Sequence, residues 1–458
     1  MGKLVLLFIF FSFSTQALVP KKVLKTSEES ISDRILGKAF IDNVKITEAI
    51  DDKIFDRLIN DPKDRVSSTF KVPKYFYNST KFWFYIYTKY PGSSVVIHDK
   101  NQMNIIYEVI EFEHLKSKIK NSYERYLYQN KLVSKEIKLY KQAFRNLSRN
   151  RKKGKLEKQI IAILNKQGIK IPKNVKKRRH FYNRLISGIR SQTGQQDKIA
   201  SGVRYYIPFK ATIDYYTKLF DIPRELVAIP FLESSFNIRA RSKVGATGIW
   251  QFMPYIAKVY MPMDKTIDGR LNPILSTLSA FHLLKQNKRI LKQWPLAVAA
   301  YNSGPTHFLR ARRKLKQPKA SLQTILKKYD HPHIGFAAQN FYSEFLALVY
   351  ALTYLDYFYK DEFDLMKDHK NRIIRPYLTN CRLRPHTFYS KLKNSSPMIK
   401  YYNYHFLKKK KVYSSQKIVF SDLKLTSRKY TEVPEKLLTS RYPLNWDRHM
   451  KNQRCSIR

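Results

Sequence analysis

Aromatic and β-branched residues cluster between residues 70 and 113 in a pattern that is typical of strands. Three such runs lie in this stretch, at 82–87, 95–97 and 105–110. Turn-forming sequences, Pro91-Gly92 and residues 99–101, separate the runs. Runs of this composition between turns are favoured in sheets. The pattern therefore predicts a small antiparallel sheet that contains all three runs.

Beyond residue 113 the apolar residues take up helical spacing. Residues 114–190 are dense in Lys and Arg, and helix-breaking residues interrupt them at 168–172. This stretch predicts long, solvated, basic helices. The chain beyond residue 357 is basic and rich in tyrosine, with a strand-prone run at 417–420. We expect a small C-terminal module there.

Clear helix boundaries appear between residues 205 and 357. Asn272-Pro273 can begin one helix and Pro295 another, which Gly304 can end. The composition of this stretch is that of an ordinary globular domain. It predicts a compact domain that is largely α-helical.

Together these patterns predict an α+β protein with a mainly helical central domain. We expect five segments: a signal peptide at 1–17, a mixed domain with antiparallel strands at 18–113, a basic helical region at 114–204, the helical domain at 205–357, and a basic module at 358–458.

Charge adds a strong but unspecific signal. The chain has 87 Lys and Arg residues against 35 Asp and Glu residues, a formal charge of +52, while 43% of its residues are apolar. The positive electrostatic field of such a charge attracts polyanions of many kinds. Nucleic acid, an anionic membrane surface and the carboxylate-bearing peptides of peptidoglycan all fit it.

The N-terminal sequence narrows this choice. Lys3 precedes an apolar run at 4–13, and Thr15-Gln16-Ala17 supplies small residues where a signal peptidase cleaves. The run is too short to span a bilayer. We therefore expect export to the periplasm or cell envelope, which argues against a specific nucleic-acid partner. No cysteine follows the run, so a lipid anchor is not expected.

Cysteine and histidine provide little chemistry. Cys381 and Cys455 can pair in an oxidising compartment or stay as free thiols. His331 and His333, the close histidine pair, flank a proline and have no further ligands nearby. No metal site and no cofactor are predicted.

Three segments of the central domain carry candidate chemistry, and the first contains Glu233. It is a lone carboxylate that ends the apolar helical stretch 226–236. Such a setting desolvates the acid and raises its pKa, as a general acid near neutral pH requires. Taken alone, the segment fits a glutamate that faces solvent at a helix end better than a catalytic one.

The second segment, 245–254, combines two glycines with an amide and aromatic rings. Gln251 can bond to sugar hydroxyls, and the glycines let the backbone approach a ligand closely. Trp250 and Phe252 can stack on a sugar ring or pack in the core, and taken singly the core is favoured.

The third segment, 297–304, is an apolar helix end that finishes in Tyr301-Asn302. A phenol can hold a buried carboxyl in place, and an asparagine can reach a substrate amide such as an N-acetyl group. Each segment by itself is a weak signal. Their joint order, Glu-Ser, then Gly-x-x-Gln-x-Met-Pro, then Ala-Tyr-Asn-x-Gly, is specific.

This order resembles the lytic transglycosylases with an SLT-type catalytic domain of lysozyme-like fold, of the membrane-bound lytic transglycosylase D type. The resemblance covers about residues 205–357, and 189–195 resembles the approach segment of the same proteins. It implies that Glu233 is the catalytic acid. It also implies a set of glycan-contacting residues, namely Ser234, Gln251, Met253, Tyr301 and Asn302.

A further active-site tyrosine of the family is less well matched. The register places Phe341 at that position and Tyr342 one residue away. Phe341 and Tyr342 are therefore candidates, with Trp250 as a third.

The resemblance implies cleavage of the β-1,4 bond between N-acetylmuramic acid and N-acetylglucosamine. Glu233 acts first as acid and then as base, and the muramyl 6-hydroxyl attacks the anomeric carbon to form a 1,6-anhydro sugar. A two-carboxylate hydrolase needs a second acid, and none stands out near the motifs. The alternatives are an inactive or a hydrolytic, lysozyme-like protein that binds the cell wall.

Overall fold

The computed structural model describes residues 44–46, 52–61, 63–151, 154–331, 334, 336–369, 372–379, 383–407, 417–427 and 429–440. The predicted signal peptide, His333, Cys381 and Cys455 lie outside these residues. Within them, no helix combines the length and the apolar character needed to cross a membrane.

The chain divides into two units, and the first contains the described residues up to 65 and residues 71–198. Its helices are α1 (Asp52–Ile59), α2 (Tyr77–Thr88), α3 (Leu115–Lys118), α4 (Ser122–Ser148), α5 (Lys155–Lys166) and α6 (Val175–Gly188). Its strands are β1 (Val44–Ile46), β2 (Ser94–Asp99), β3 (Ile106–Glu111) and β4 (Ile189–Thr193). A further helix, α7 (Gln196–Tyr206), contains the division between the units.

The four strands form one antiparallel sheet in the order β1-β3-β2-β4. Val96 pairs with Val109 across β2 and β3, and with Gln192 across β2 and β4. The strands predicted at 95–97 and 105–110 are thus confirmed. Strand β4 falls in the stretch predicted to be helical, and its backbone bonds to β2 complete the sheet.

The strand predicted at 82–87 is wrong, because these residues lie in helix α2. All six side chains from Phe82 to Tyr87 are buried, with at most 4% of their surface exposed. A segment buried on every side loses the alternation that separates a strand from a helix, so its apolar content predicts both equally. Tertiary packing decides between them here.

The basic helices are confirmed, and they share a core with the sheet. Helix α4 is 27 residues long, and the Asn121 side chain caps its first turn. Tyr140 on α4 donates to the Tyr107 carbonyl of β3 at 3.1 Å, and Phe144 packs on the Tyr107 ring. Residues on both sides of the boundary predicted at 113 therefore belong to one packed core.

The second unit contains residues 66–70 and the described residues from 199 onward. Its helices are α8 (Lys210–Leu219), α9 (Ala228–Ser234), α10 (Pro254–Tyr260), α11 (Pro273–Leu291), α12 (Trp294–Ser303), α13 (Pro305–Lys314), α14 (Leu322–Lys328), α15 (Phe336–Thr353), α16 (Leu355–Phe358), α17 (Lys360–Asp368), α18 (Pro385–Leu392), α19 (Ile399–Tyr402) and α20 (Glu435–Leu438). Its strands are β5 (Arg375–Thr379), β6 (Ile418–Ser421) and β7 (Tyr430–Glu432).

Helix α12 lies at the centre of this unit, packed against α11, α13 and α15. Residues 297–300 on α12 are at most 2% exposed, and three of the four are alanines, which allow neighbouring helices to approach closely. The predicted boundaries are confirmed. The Asn272 side chain caps α11, and α12 ends at Gly304.

The C-terminal part of the chain forms a second antiparallel sheet, in the order β6-β5-β7. The strand predicted at 417–420 is confirmed as β6. The described residues are mainly helical with two small antiparallel sheets, so the predicted α+β class is confirmed.

Candidate active site

Glu233 lies at the second-to-last position of α9, where its side chain is partly exposed. The helix ends because Ser235 and Phe236 turn to positive φ, +48° and +56°. The Ser235 and Phe236 amides then donate to the carbonyls of Phe231 and Pro230, at 2.8 and 3.1 Å. Glu233 therefore lies at the end of a helix whose residues 228–231 are buried.

The surroundings of Glu233 favour its protonated form. Burial, and to a smaller extent the charge of Glu344, raise the pKa of Glu233 to about 8. A carboxyl in a low-dielectric site pays a desolvation cost on ionising. Glu233 therefore keeps its proton near neutral pH, as a general acid must.

Tyr301 on α12 is the tyrosine that the third motif singled out as a phenol that can hold the acid in place. Its hydroxyl donates to the Trp250 carbonyl at 2.8 Å. Burial and the charge of Glu233 raise the pKa of Tyr301 well above its ordinary value. The phenol therefore stays neutral, and it lies close enough to Glu233 to feel its charge.

Gln251 is held in a strained loop between α9 and α10. It has a φ of +46°, and its Nε2 donates to the carbonyls of Gly248 and Ala240, at 2.8 and 3.3 Å. Its Oε1 is buried and has no hydrogen-bond partner among the described residues. A buried acceptor without a partner is costly, so a hydrogen-bond donor that reached Oε1 would be stabilising.

Gly248 allows this loop to form. Its φ is +80°, and a Cβ at this position would lie 1.9 Å from the Arg270 carbonyl oxygen. No side chain fits that space. The glycine therefore fixes how closely the Gln251 loop lies against the start of α11.

The remaining predicted glycan-contacting residues take different positions. Asn302 is partly exposed, and its Oδ1 has no hydrogen-bond partner among the described residues. Met253 is partly exposed at the start of α10. The Ser234 hydroxyl instead donates within the chain, to the Ile249 carbonyl at 2.9 Å and the Pro230 carbonyl at 3.1 Å. It ties the Glu233 helix to the Gln251 loop.

The aromatic candidates lie in the core. Trp250 is 1% exposed and donates from Nε1 to the Thr277 hydroxyl at 2.9 Å. Phe252, Phe341 and Tyr342 are at most 4% exposed. The sequence left sugar stacking and core packing open for Trp250 and Phe252, and in the structure both rings pack in the core.

Comparison with known protein families identifies a domain that contains these residues. Residues 213–324 match the family described as transglycosylase SLT domain. Glu233, Gln251, Tyr301 and Asn302 all lie inside the match. This stretch belongs to the transglycosylase SLT domain family. The resemblance inferred from the three motifs is thus confirmed.

The similarity to individual proteins covers about a quarter of this chain. A membrane-bound lytic murein transglycosylase D of Escherichia coli (strain K12) is 35% identical over 106 residues, 23% of this chain and 24% of that protein. A protein of Alteromonas sp. (strain M-1), named for tributyltin chloride resistance, is 38% identical over 109 residues, 23% of this chain and 53% of that protein. The matched part thus spans about a quarter of the first relative and about half of the second.

Glu344 is a second acid at the site, and it lies beyond the matched SLT stretch. It is the one charged residue in the 18-residue sequence of α15, a helix that packs against α9 and α12. Its side chain is partly exposed, and burial raises the pKa of Glu344 to about 8. No described residue forms a hydrogen bond or ion pair with it.

Sequence reasoning missed Glu344, although a signal was present. The carboxylate stands alone in an apolar helical run, the same pattern that singled out Glu233. Its proximity to Glu233 depends on how α15 packs on α9. Nothing in the spacing of about 110 residues between the two acids reports that contact.

The described residues contain no group of three or more His, Cys, Asp or Glu side chains arranged to hold a metal ion. The titratable groups with raised pKa values at the site are Glu233, Glu344 and Tyr301, whose phenol is neutral.

Proposed function

We propose that this chain is a peptidoglycan lytic transglycosylase with Glu233 as its single general acid and base. The observation that carries the proposal is a carboxyl whose pKa is raised to about 8 by burial and by the charge of Glu344, near the end of helix α9 in an SLT domain. A carboxyl that is protonated at neutral pH can donate a proton and then accept one.

The reaction divides into two proton transfers at one residue. Glu233 donates its proton to the glycosidic oxygen between N-acetylmuramic acid and N-acetylglucosamine as the bond from that oxygen to the anomeric carbon breaks. The resulting carboxylate takes the proton of the muramyl 6-hydroxyl as its oxygen bonds to the anomeric carbon. The products are a 1,6-anhydro-muramyl end and a free N-acetylglucosamine end, and no water is consumed.

The amide side chains orient the sugar for this step. The acceptor oxygens of Gln251 and Asn302 have no partner among the described residues, and either can accept from a sugar hydroxyl or an acetamido N–H. Tyr301 keeps its proton beside Glu233, so it adds no competing negative charge. Such positioning contributes much of the rate in glycan cleavage.

We also propose that the basic surface holds the enzyme to its anionic surroundings in the periplasm or cell envelope. The formal charge of +52 supports this role, because a positive field concentrates anionic wall and membrane surfaces near the protein. The surface would act without sequence-specific contact to nucleic acid.

Digestion of purified peptidoglycan sacculi tests the reaction. The protein should release soluble muropeptides with 1,6-anhydro ends, detected by mass spectrometry. Glu233→Gln removes the transferable proton and should lower the rate by at least about 10³-fold. Binding to sacculi should persist, because the substitution is nearly isosteric. Glu435→Gln, at an exposed position, is the matched control.

Glu344 supports a second candidate function, hydrolysis. As a carboxylate beside Glu233 it could take a proton from a water molecule that attacks the anomeric carbon, as in two-carboxylate glycosidases. The products would then carry hydrated reducing ends. The same mass spectra separate the two, and hydrated ends would overturn the transglycosylase proposal. Binding to sacculi without release of fragments would instead indicate an inactive wall-binding protein.

A further inference from the structure

A cavity of about 330 Å³ lies beside the loop that carries Gln251. Six residues line it, from the SLT stretch and from the C-terminal segment: Arg239, Arg241, Leu271, Tyr404, Phe406 and Leu407. Ala240, between the two arginines, accepts hydrogen bonds from the Gln251 side chain at 3.3 Å and from the Gly248 amide at 2.9 Å. The cavity and the predicted glycan-contacting loop therefore share one stretch of backbone.

The two arginines bring uncompensated positive charge to this cavity. Both side chains are exposed, and neither forms an ion pair with a carboxylate of the described residues. Arg239 lies with its guanidinium 5.1 Å from the centre of the Tyr404 ring. Nearby Arg270, by contrast, is buried and paired with Asp268 at 2.9 Å. The free charge is thus concentrated on Arg239 and Arg241.

The far wall of the cavity is fixed in place by the C-terminal segment. The Asn272 side chain donates to the Tyr402 carbonyl at 2.6 Å, and the Asp268 amide donates to the His405 carbonyl at 3.0 Å. The Leu407 amide donates to the Thr266 carbonyl at 2.9 Å. A wall held by three such bonds is formed before any ligand arrives, which lowers the cost of binding.

The two arginines suit an anion such as an organic carboxylate. Guanidinium groups form paired hydrogen bonds with the two oxygens of a carboxylate. Leu271 and Phe406 are at most 3% exposed, so they lie behind the cavity and add little surface to it. The exposed Leu407 side chain and the Tyr404 ring can pack against the aliphatic part of a ligand.

We propose that this cavity binds a carboxylate of the peptide attached to the glycan strand. The inference rests on the proposed function, which places a peptidoglycan strand against Glu233 and Gln251. A peptide substituent on a strand bound there would extend to one side of the Gln251 loop. The paired arginines offer it a charged anchor at that side, and the enzyme would then prefer strands that keep their peptides.

Binding measured in a Glu233→Gln background tests the pocket independently of turnover. The ligands are soluble glycan strands with intact peptides and the same strands after an amidase has removed the peptides. Adding Arg239→Gln and Arg241→Gln should weaken binding of the peptide-bearing strands about tenfold, because two charge-assisted contacts are lost. Affinity for the peptide-free strands should not change.

The matched control is Arg289→Gln with Arg313→Gln, two exposed arginines that do not line the cavity. It removes the same net charge and should leave both affinities unchanged. Three outcomes would overturn the proposal: unchanged affinity of the pocket variant for peptide-bearing strands, equal losses on both ligands, or an equal loss in the control. Failure of the proposed function appears separately, as wild-type protein that releases no fragments from sacculi.

Discussion

Glu233 and Glu344 form a pair of partly buried acids whose charges interact. Burial raises the pKa of Glu344 to about 8, and burial together with the charge of Glu344 raises the pKa of Glu233 to about 8. Two adjacent carboxyls do not readily ionise together in a low-dielectric site. Whichever acid ionises first keeps the proton on the other, so Glu344 supports the acid role of Glu233.

The pH dependence of cleavage reports this interaction. Cleavage needs protonated Glu233, so the rate should fall as pH rises through the pKa of about 8. Glu344→Gln removes the neighbouring charge, lowers the pKa of Glu233 and should move this alkaline limb to lower pH. The measurement is kcat/KM on soluble glycan strands across the pH range.

The control for that profile is Glu113→Gln, an exposed glutamate of the first unit. Its profile should match the wild type. An alkaline limb that stays in place in Glu344→Gln would show that Glu344 does not act on Glu233. Loss of hydrated ends in Glu344→Gln, from a wild type that produces them, would instead assign Glu344 to water activation.

At the scale of elements, the site depends on the loop that joins α9 to α10. The Ser234 hydroxyl bonds to the Ile249 carbonyl, and the Tyr301 hydroxyl bonds to the Trp250 carbonyl. These bonds fasten the two residues just before Gln251 to α9 and to α12. Two side-chain hydroxyls from neighbouring helices thus hold the backbone of the loop that contains Gln251.

Gly248→Ala tests the loop. The added Cβ would meet the Arg270 carbonyl oxygen, so the loop must move or the unit must lose stability. We expect a loss of about 2–4 kcal/mol in the free energy of unfolding and a strong fall in cleavage. Urea unfolding followed by tryptophan fluorescence measures the first effect.

Gly304→Ala provides the comparison for stability. Gly304 has the same φ of +80°, but no atom lies within 4 Å of the position of its Cβ. Its ψ is 148°, so its substitution should cost backbone strain of about 1–3 kcal/mol without a steric clash. Equal losses in the two variants would show that close approach to Arg270 does not matter.

At the scale of the whole molecule, the basic charge and the catalytic cleft are separable features. Helices α4 and α6 of the first unit carry exposed lysines, including Lys135, Lys138, Lys176 and Lys177. The C-terminal part is less suitable for such a test, because residues 402–407 bond to the SLT domain. Neutralising exposed lysines of the first unit therefore tests the charge alone.

Changing these four lysines to glutamine should reduce retention on sacculi at low salt. Surface charge attraction is screened at high ionic strength, so the difference from wild type should disappear near 1 M salt. Cleavage of short soluble strands should stay unchanged. The control variant replaces the same lysines with arginine, and it should be retained like the wild type. Equal retention of the glutamine variant would contradict a role for this surface.

How far the sequence determined the protein depends on the range of the interactions involved. The caps of α11 and α12, the turn at 99–101 and the basic helices follow from local chemistry, and the sequence predicted them. The three motifs identified the SLT domain because each keeps its chemical pattern within about ten residues. They also singled out Glu233, Gln251, Tyr301 and Asn302 as the candidate residues.

Tertiary structure decided the features that depend on distant contacts. It made residues 82–87 a helix, because burial on all sides removes the pattern that separates helix from strand. It turned Ser234 inward and packed Trp250 in the core. It also brought Glu344 to Glu233, and Tyr404 to Arg239, across about 110 and 165 residues of chain. Local sequence carries no record of such contacts, since they form only when whole helices pack.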